Sequence, residues 1–376
     1  MASKTLQRIG VSPELAMRLK RHGICTCKDF LSKNELELMK VTGLSRVKLR
    51  ELIEDVSRAV IPQHNTVLNI YKQNTGLFST SLPPLDSILH GGLSHGTITE
   101  IAGPPGCGKT QFCMMFSVLA TLPRPLGTAN GSVAYIDTES AFSAQRLVEI
   151  ARSRFPDHFN QDDNLRDLCN RVHIYQESTC RELQERLDVI EEDIIRHGVK
   201  LIIIDSIASL VRKEFDSHLH GNMIARTNLL AKQAATLKYI AESFCIPIVV
   251  TNQITTRIGQ LQSHVAQGGH VQEYGQGDSV TTIEGAKGFV TAALGNTWGH
   301  SVNTRLVLQY RHDNKRELII AKSPVAPAAR LTYTIESQGI VMNDHEERES
   351  WMQVSGVDPG QQKICVRGSD DTASGH

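Results

Sequence analysis

Neither sign of charge dominates this sequence. Lys plus Arg equals Asp plus Glu at 40 each, so no global field points to a polyanion, a membrane surface or an acidic substrate. Any binding of that kind must come from a local basic surface. Long apolar runs are also missing. No uninterrupted stretch reaches the roughly 18 to 20 residues that cross a bilayer, and the opening MASKTLQRIG has no apolar segment of signal-peptide type, so an intracellular chain is expected. Cysteines are few and scattered. The 8 present show no paired zinc spacing beyond a lone Cys-x-Cys at Cys25 and Cys27, which argues against a disulfide framework or a zinc ribbon and for free buried thiols.

What is present suffices for a large core. With 40% hydrophobic and 21% charged residues over 376 positions, the chain can offset the entropy of ordering two domains, one of them a large α/β unit.

Residues 1–60 read as a small helical bundle. Ser12 is an N-cap candidate ahead of Pro13, and Leu15 and Leu19 follow at helical spacing. Cys27 to Phe30 and Leu36 to Met39 form two short helices, Gly43 makes a tight turn, and Ser45 can cap a last helix carrying Val47, Leu49, Leu52, Ile53 and Val56. The helix, Gly turn, helix arrangement resembles a helix-hairpin-helix element. Its amides, with Arg46, Lys48 and Arg50, can meet a DNA phosphate, or those cations form only the solvated face of a packing domain. Residues 61–77 read as a polar linker, 78–345 as the core, and 346–376 as a disordered tail.

Within the core, strand-like runs alternate with helical ones: Gly96 to Ala102, Ser132 to Asp137, Val172 to Tyr175, Leu201 to Ser206, Pro247 to Asn252, Thr304 to Tyr310 and Leu318 to Lys322. That alternation predicts an α/β fold, a mainly parallel sheet with helices on both faces and an antiparallel edge at the last strands. Ile258 to Gly288 breaks the pattern, being rich in Gly, Gln, Ser and His; a loop of that length is functional or disordered.

The strongest local signal is Gly103-Pro104-Pro105-Gly106-Cys107-Gly108-Lys109-Thr110, a full match to G-x-x-x-x-G-K-[ST] between a strand and the helical run Gln111 to Leu122. The glycines let backbone amides curl around an anion at a helix N-terminus, Lys109 can reach the β and γ phosphates of a nucleotide, and Thr110 can hold Mg²⁺. A plain glycine turn is the alternative. Asp205 ends the apolar strand Leu201 to Ile204, where a second acid for the metal belongs, although a capping Asp would look the same. Tyr135-Ile136-Asp137-Thr138-Glu139 is another strand ending in acids. Glu139 is the candidate base for the attacking water, while either acid can instead cap the next helix. Gln253 ends a third such strand and is placed to sense the γ-phosphate at the entrance of the long loop.

Taken in this order, the four sites resemble the RecA/RadA-type recombinase family from about Phe78 to Met342. Residues 1–60 resemble the small domain that precedes its eukaryotic and archaeal members. Within the family the runs IAGPPGCGKTQFC, YIDTESAF, TNQITT, AALGNTWGHSVNTRL and AKSPVAP look like those of the B-type eukaryotic paralogues, mediators rather than main filament formers.

The resemblance implies a RecA-like P-loop ATPase core with a small all-α N-terminal domain, and ATP and Mg²⁺ as cofactors. It places Gln111 beside the nucleotide and Arg146 on the adenine ring. His300 would help to sense the γ-phosphate, and Lys322 to Pro327 would cap ATP from a neighbouring subunit. Taken singly, these three are a surface Arg, a satisfied His and a proline turn. Single-stranded DNA would be bound by loops near Arg212 to Asn222 and from Arg257 to about Lys287, yet both carry fewer net cations than the family pattern.

The family's assembly motif, a Phe with an Ala three residues on, is missing from Ile61 to Phe78, where Leu68, Ile70 and Tyr71 offer a variant anchor. Hetero-assembly with other RecA-like paralogues, notably the C-type, is the expectation. So are a nuclear location, DNA-dependent ATPase activity that is weak in the isolated chain, and a role in homologous recombination and double-strand break repair. The rival is an ATP-binding assembly scaffold without significant hydrolysis; a hexameric helicase and a small-molecule kinase rank below it.

Overall fold

The computed structural model describes residues 5–343 apart from 62–65, 70–75, 124–125, 127–128, 216–219, 258–288, 293 and 312–314. The expected tail at 346–376, the loop 258–288 and the anchor residues Ile70 and Tyr71 lie outside the described residues. By backbone contacts the chain divides into two units, Met1–Gln73 and Asn74–His376.

The first unit is helical: a 3-10 turn at Leu6–Ile9, then α1 (Pro13–Arg21), α2 (Cys27–Leu31), α3 (Glu35–Thr42) and α4 (Arg46–Val60). Polar side chains start most of these helices. The Ser12 hydroxyl accepts from the Leu15 amide, Thr26 and Asp29 form a reciprocal capping box, and Asn34 accepts from the Glu37 amide. Gly43 ends α3 at φ 67°, a left-handed geometry that suits glycine. Ser45 stands at the N-cap of α4 but its hydroxyl does not make the expected capping hydrogen bond. Ser45, Arg46 and Val47 are all exposed, so water satisfies the first amides there at little cost. Leu6, Leu19, Ile24, Cys27, Phe30, Leu38, Leu49 and Val56 close the small core.

The second unit is built on a nine-stranded sheet in the order β13-β12-β11-β10-β3-β7-β6-β4-β5. Its strands are β3 (Ile98–Ala102), β4 (Ser132–Asp137), β5 (Val172–Gln176), β6 (Val199–Asp205), β7 (Ile248–Asn252), β10 (Thr304–Tyr310), β11 (Arg316–Lys322), β12 (Ala329–Glu336) and β13 (Gly339–Met342). Strands β10, β3, β7, β6, β4 and β5 run parallel, and β11, β12 and β13 add an antiparallel margin. Two small antiparallel pairs complete the strands: β1 (Leu77–Phe78) with β2 (Leu93–Ser94), and β8 (Ile254–Arg257) with β9 (Phe289–Ala292). These two pairs, and β12 and β13, were not among the expected strands.

Successive residues of the parallel strands feed opposite cores, which is what burial on both faces requires. Ile101, Val133, Tyr135, Leu201, Ile203 and Val249 pack on one face with α5 (Pro83–Ile88), α6 (Lys109–Thr121), α7 (Ala144–Arg154), α8 (Pro156–Phe159) and α9 (Asp162–Arg171). Ile98, Ala134, Ile136, Ile202, Ile204, Ile248 and Val250 pack on the other with α10 (Cys180–His197), α11 (Ile207–Glu214), α12 (His220–Phe244) and α13 (Gly295–Ser301). The carboxyl ends of β3, β4, β6 and β7 therefore open along one edge of the sheet, where ligands of open α/β sheets bind. Among the described residues no helix is long and apolar enough to cross a membrane. Among the described residues no cysteine is in a disulfide, and Cys27, Cys107, Cys113 and Cys180 are buried.

Candidate active site

Strand β3 delivers the chain into a loop that only glycine can form at its tightest points. A Cβ on Gly103 would stand 2.6 Å from the Leu308 carbonyl oxygen, and Gly106 and Gly108 lie at φ 79° and 95°. The loop runs straight into the N-terminus of α6, so its amides and the helix dipole face the same space. Lys109 Nζ folds back and donates to the carbonyls of Gly103 (2.9 Å) and Pro104 (3.0 Å). Burial pulls its pKa down, with the Asp205 carboxylate opposing. The Cys107 thiol is buried and pushed up to about 11, so it packs as a neutral group while its carbonyl accepts the Tyr333 hydroxyl at 2.6 Å.

Asp205, at the end of β6, is buried and held by three hydroxyls. Its Oδ2 accepts from Thr110 (2.7 Å) and Tyr135 (2.9 Å), and its Oδ1 from Thr251 (2.5 Å). Burial raises its pKa and the three hydroxyls work against that rise. Thr110 and Asp205 thus present adjacent oxygen ligands, the donor chemistry that suits Mg²⁺ beside a phosphate. Among the described residues no group of three or more His, Cys, Asp or Glu could hold a metal by itself, so a cation here needs ligands from elsewhere.

The two acids after β4 divide their tasks. Asp137 turns inward, accepting from the amides of Glu139 (3.1 Å), Ala141 (3.2 Å) and Phe142 (3.1 Å), while Ser143 caps α7. Glu139 is left exposed beyond that turn. Its Oε1 accepts from the Ser206 hydroxyl (2.6 Å) and from Gln253 Nε2 (2.5 Å), and Gln253 Oε1 in turn accepts from Arg212 (2.6 Å). The base candidate and the sensor candidate are therefore in contact.

Arg146 is pinned rather than free. It donates to Gln111 Oε1 (2.8 Å) and to the carbonyls of Glu336 and Ser337, and pairs with Glu149 at 2.7 Å. Gln111 thereby fixes the plane of a guanidinium on which an aromatic base can stack. Pro104 is buried in the loop, whereas Pro105 is exposed. His300 lies exposed on α13, and Lys322 donates to the carbonyls of Gly299 (3.0 Å) and Val302 (2.6 Å) at the end of that helix. Lys322 thus serves its own chain in this arrangement. Arg212 and Glu214, expected at the start of a loop, sit in α11; Glu214 accepts from the Cys180 amide.

Tyr135, Thr251, Ser206 and the Arg212 contact escaped the sequence. Their places follow from strand register: Tyr135 lies opposite Ile203, and Asp137 opposite Asp205, on neighbouring parallel strands. Thr251 sits in the TNQITT run, and its hydroxyl next to the strand's polar end was the available signal.

Comparison with known proteins agrees with the resemblance carried by these motifs. A family model described as Rad51 matches residues 72–343, and one described as an XRCC3/RpoA-like helix-hairpin-helix domain matches residues 6–60. The chain is 52% identical over 352 residues to DNA repair protein RAD51 homolog 2 of Homo sapiens, covering 92% of this chain and 90% of that protein. The protein of the same name from Arabidopsis thaliana is 30% identical over 382 residues, covering 100% and 99%. DNA repair protein RAD51 homolog 3 of Cricetulus griseus is 26% identical over 358 residues, covering 88% and 89%.

Proposed function

The chain belongs to the Rad51 family, and on that premise we propose that it is an ATP-dependent, single-stranded-DNA-binding recombinase paralogue. It acts in a nuclear, heteromeric complex with other RecA-like paralogues, notably the C-type, and promotes homologous recombination and double-strand break repair. The observation that carries the ATPase part is the contact set at one sheet edge: Thr110 on Asp205, and Glu139 on Gln253, around the Gly103–Thr110 loop.

In this reading the loop amides and Lys109 hold the triphosphate, with Gln111 and Arg146 orienting the base. Thr110 and Asp205 hold Mg²⁺, which when bound neutralises phosphate charge. Lys109 exchanges its two carbonyl partners for phosphate oxygens, a short movement for a flexible side chain. Glu139 accepts the proton of a water in line with the γ-phosphate once Gln253 releases its Oε1. The resting Gln253 and Ser206 contacts both fall on Glu139 Oε1 and hold that oxygen away from a water, which supports slow turnover by the chain alone. The repair role is supported by the relatives, which are DNA repair proteins, and the paralogue partners by the family resemblance. The missing Phe-x-x-Ala spacing in residues 61–78 favours hetero-assembly over a long homofilament.

The test is ATP turnover with and without single-stranded DNA, for the chain alone and mixed with other paralogues. Lys109→Ala and Glu139→Gln should each lower DNA-stimulated turnover by about 10²-fold or more, with Glu139→Gln still binding nucleotide. ATP bound but not turned over in every mixture would instead make the protein an assembly scaffold.

A further inference from the structure

Glu100 is a fully buried carboxylate in the middle of β3, three residues before Gly103, where the loop into α6 begins. Three elements converge on it. Asn252 Nδ2, at the end of β7, donates to Oε1 at 2.5 Å; the Trp298 indole N–H, from α13, donates to the same oxygen at 3.0 Å; and Arg305 Nε, from β10, donates to Oε2. Arg305 and Trp298 are nearly as deeply buried as Glu100.

The positions of these donors give the cluster its meaning. Asn252 is the last residue before Gln253, where the chain leaves the sheet. Trp298 lies in the first helix after it returns, two residues before His300. One carboxylate thus closes both ends of the excursion from Gln253 to Leu294, and it does so from the strand that leads into Gly103. The far end of α13 is tied down by Lys322 through Gly299 and Val302.

Burying an ion pair is a poor way to gain stability, because desolvation offsets the attraction and apolar residues of similar size serve as well. Such a pair does impose geometry: a carboxylate with three directed donors admits one arrangement of the strands and helix around it. We infer that Glu100 is a positioning residue that couples the phosphate loop to both ends of the Gln253–Leu294 excursion, so that the γ-phosphate state is transmitted to Trp298 and α13. This inference rests on the nucleotide reading given above.

Trp298 supplies its own reporter. The chain has two tryptophans, and Trp351→Phe leaves Trp298 as the only one. In that background, a non-hydrolysable ATP analogue with Mg²⁺ should change Trp298 emission and ADP should not. The analogue should also bind at least about fivefold more tightly than ADP, the lower end of ordinary coupling between sites. Adding Glu100→Leu and Arg305→Met together removes both charges; the emission difference should vanish and the affinity ratio fall toward one, with ADP binding kept. Trp298→Phe, which keeps an aromatic side chain but loses the indole N–H together with the five-membered ring, provides a second variant should the double substitution unfold. Its analogue-to-ADP ratio, read by calorimetry, should fall in the same direction. Variants that keep the parent's emission response and ratio overturn the inference alone. A parent that binds neither nucleotide overturns the reading of the site, and the inference with it.

Discussion

Both units carry exposed ion pairs, but among the described residues the α/β unit also buries charge in its sheet. In the helical unit Arg46 and Arg50 share Glu35, with side chains 66%, 58% and 40% exposed, and Arg58 meets Asp55 at 73% and 68%. In the α/β unit the pair Glu100 and Arg305 is 0% and 3% exposed, and Asp205 is buried under three hydroxyls. Pairs in water are screened and cost little to break, whereas buried groups are committed to their partners. The basic side chains of the first unit therefore stay available to an outside anion, while those in the sheet dictate internal geometry.

The sharpest way to break this contrast is Glu100→Leu alone. It strands Arg305 in the core and should destabilise the α/β unit by about 3–5 kcal/mol, read by chemical denaturation. A loss below about 1 kcal/mol would place the sheet's charges in the same class as the surface pairs. Next is Gln233 in α12, fully buried with neither side-chain polar atom partnered. Gln233→Leu should raise stability by about 1–3 kcal/mol, since an unpaired buried amide costs that much. Within the helical unit the largest local effect should come from its one reciprocal cap: Thr26→Ala should cost about 1 kcal/mol in thermal unfolding.

A pH effect follows from His173 on β5. Burial, and the ring of His197 stacked 4.3 Å away, lower its pKa below 6.5, with Asp193 opposing. The unfolded chain then binds the proton more readily than the folded one, so stability is full above that value and falls as pH drops through it toward the lower folded pKa. His173→Gln should lose less melting temperature than wild type on going from about pH 7.5 to 5.5. Smallest of all should be Glu35→Ala, which frees Arg46 and Arg50 at a cost below about 1 kcal/mol. A larger loss would mean that this exposed triad holds the hairpin together.

The parallel core and the phosphate loop were legible because each rests on a local pattern. Apolar runs with polar tips mark β3, β4, β6 and β7, and the glycine spacing of 103–108 answers a steric demand visible in the Leu308 contact. The division of labour between Asp137 and Glu139 was not legible, because both are acids at a strand end and only the amides of 139, 141 and 142 decide between them. Strand β12 did carry a signal: Leu331, Tyr333 and Ile335 alternate with Arg330, Thr332 and Thr334, and Gly339 marks the turn into β13. Its polar content masked that alternation. Glu100 was unreadable for a different reason. A charged residue in an apolar strand announces a partner, but Arg305 lies 205 residues away and nothing local connects them.

That separation bears on how the chain acquires its activity. The carbonyl of Cys107 is held by the hydroxyl of Tyr333, 226 residues further on, Gly103 packs against Leu308, and Arg146 is fixed by Glu336 and Ser337. Contacts so distant in sequence form late, because the intervening loop entropy must be overcome first. A chain growing on the ribosome can build the helical unit from its own neighbours early, but its phosphate loop has no finished walls until β12 and β13 have emerged. On the reading proposed above, nucleotide affinity would then arrive late in folding, with the strands that wall the Gly103–Thr110 loop.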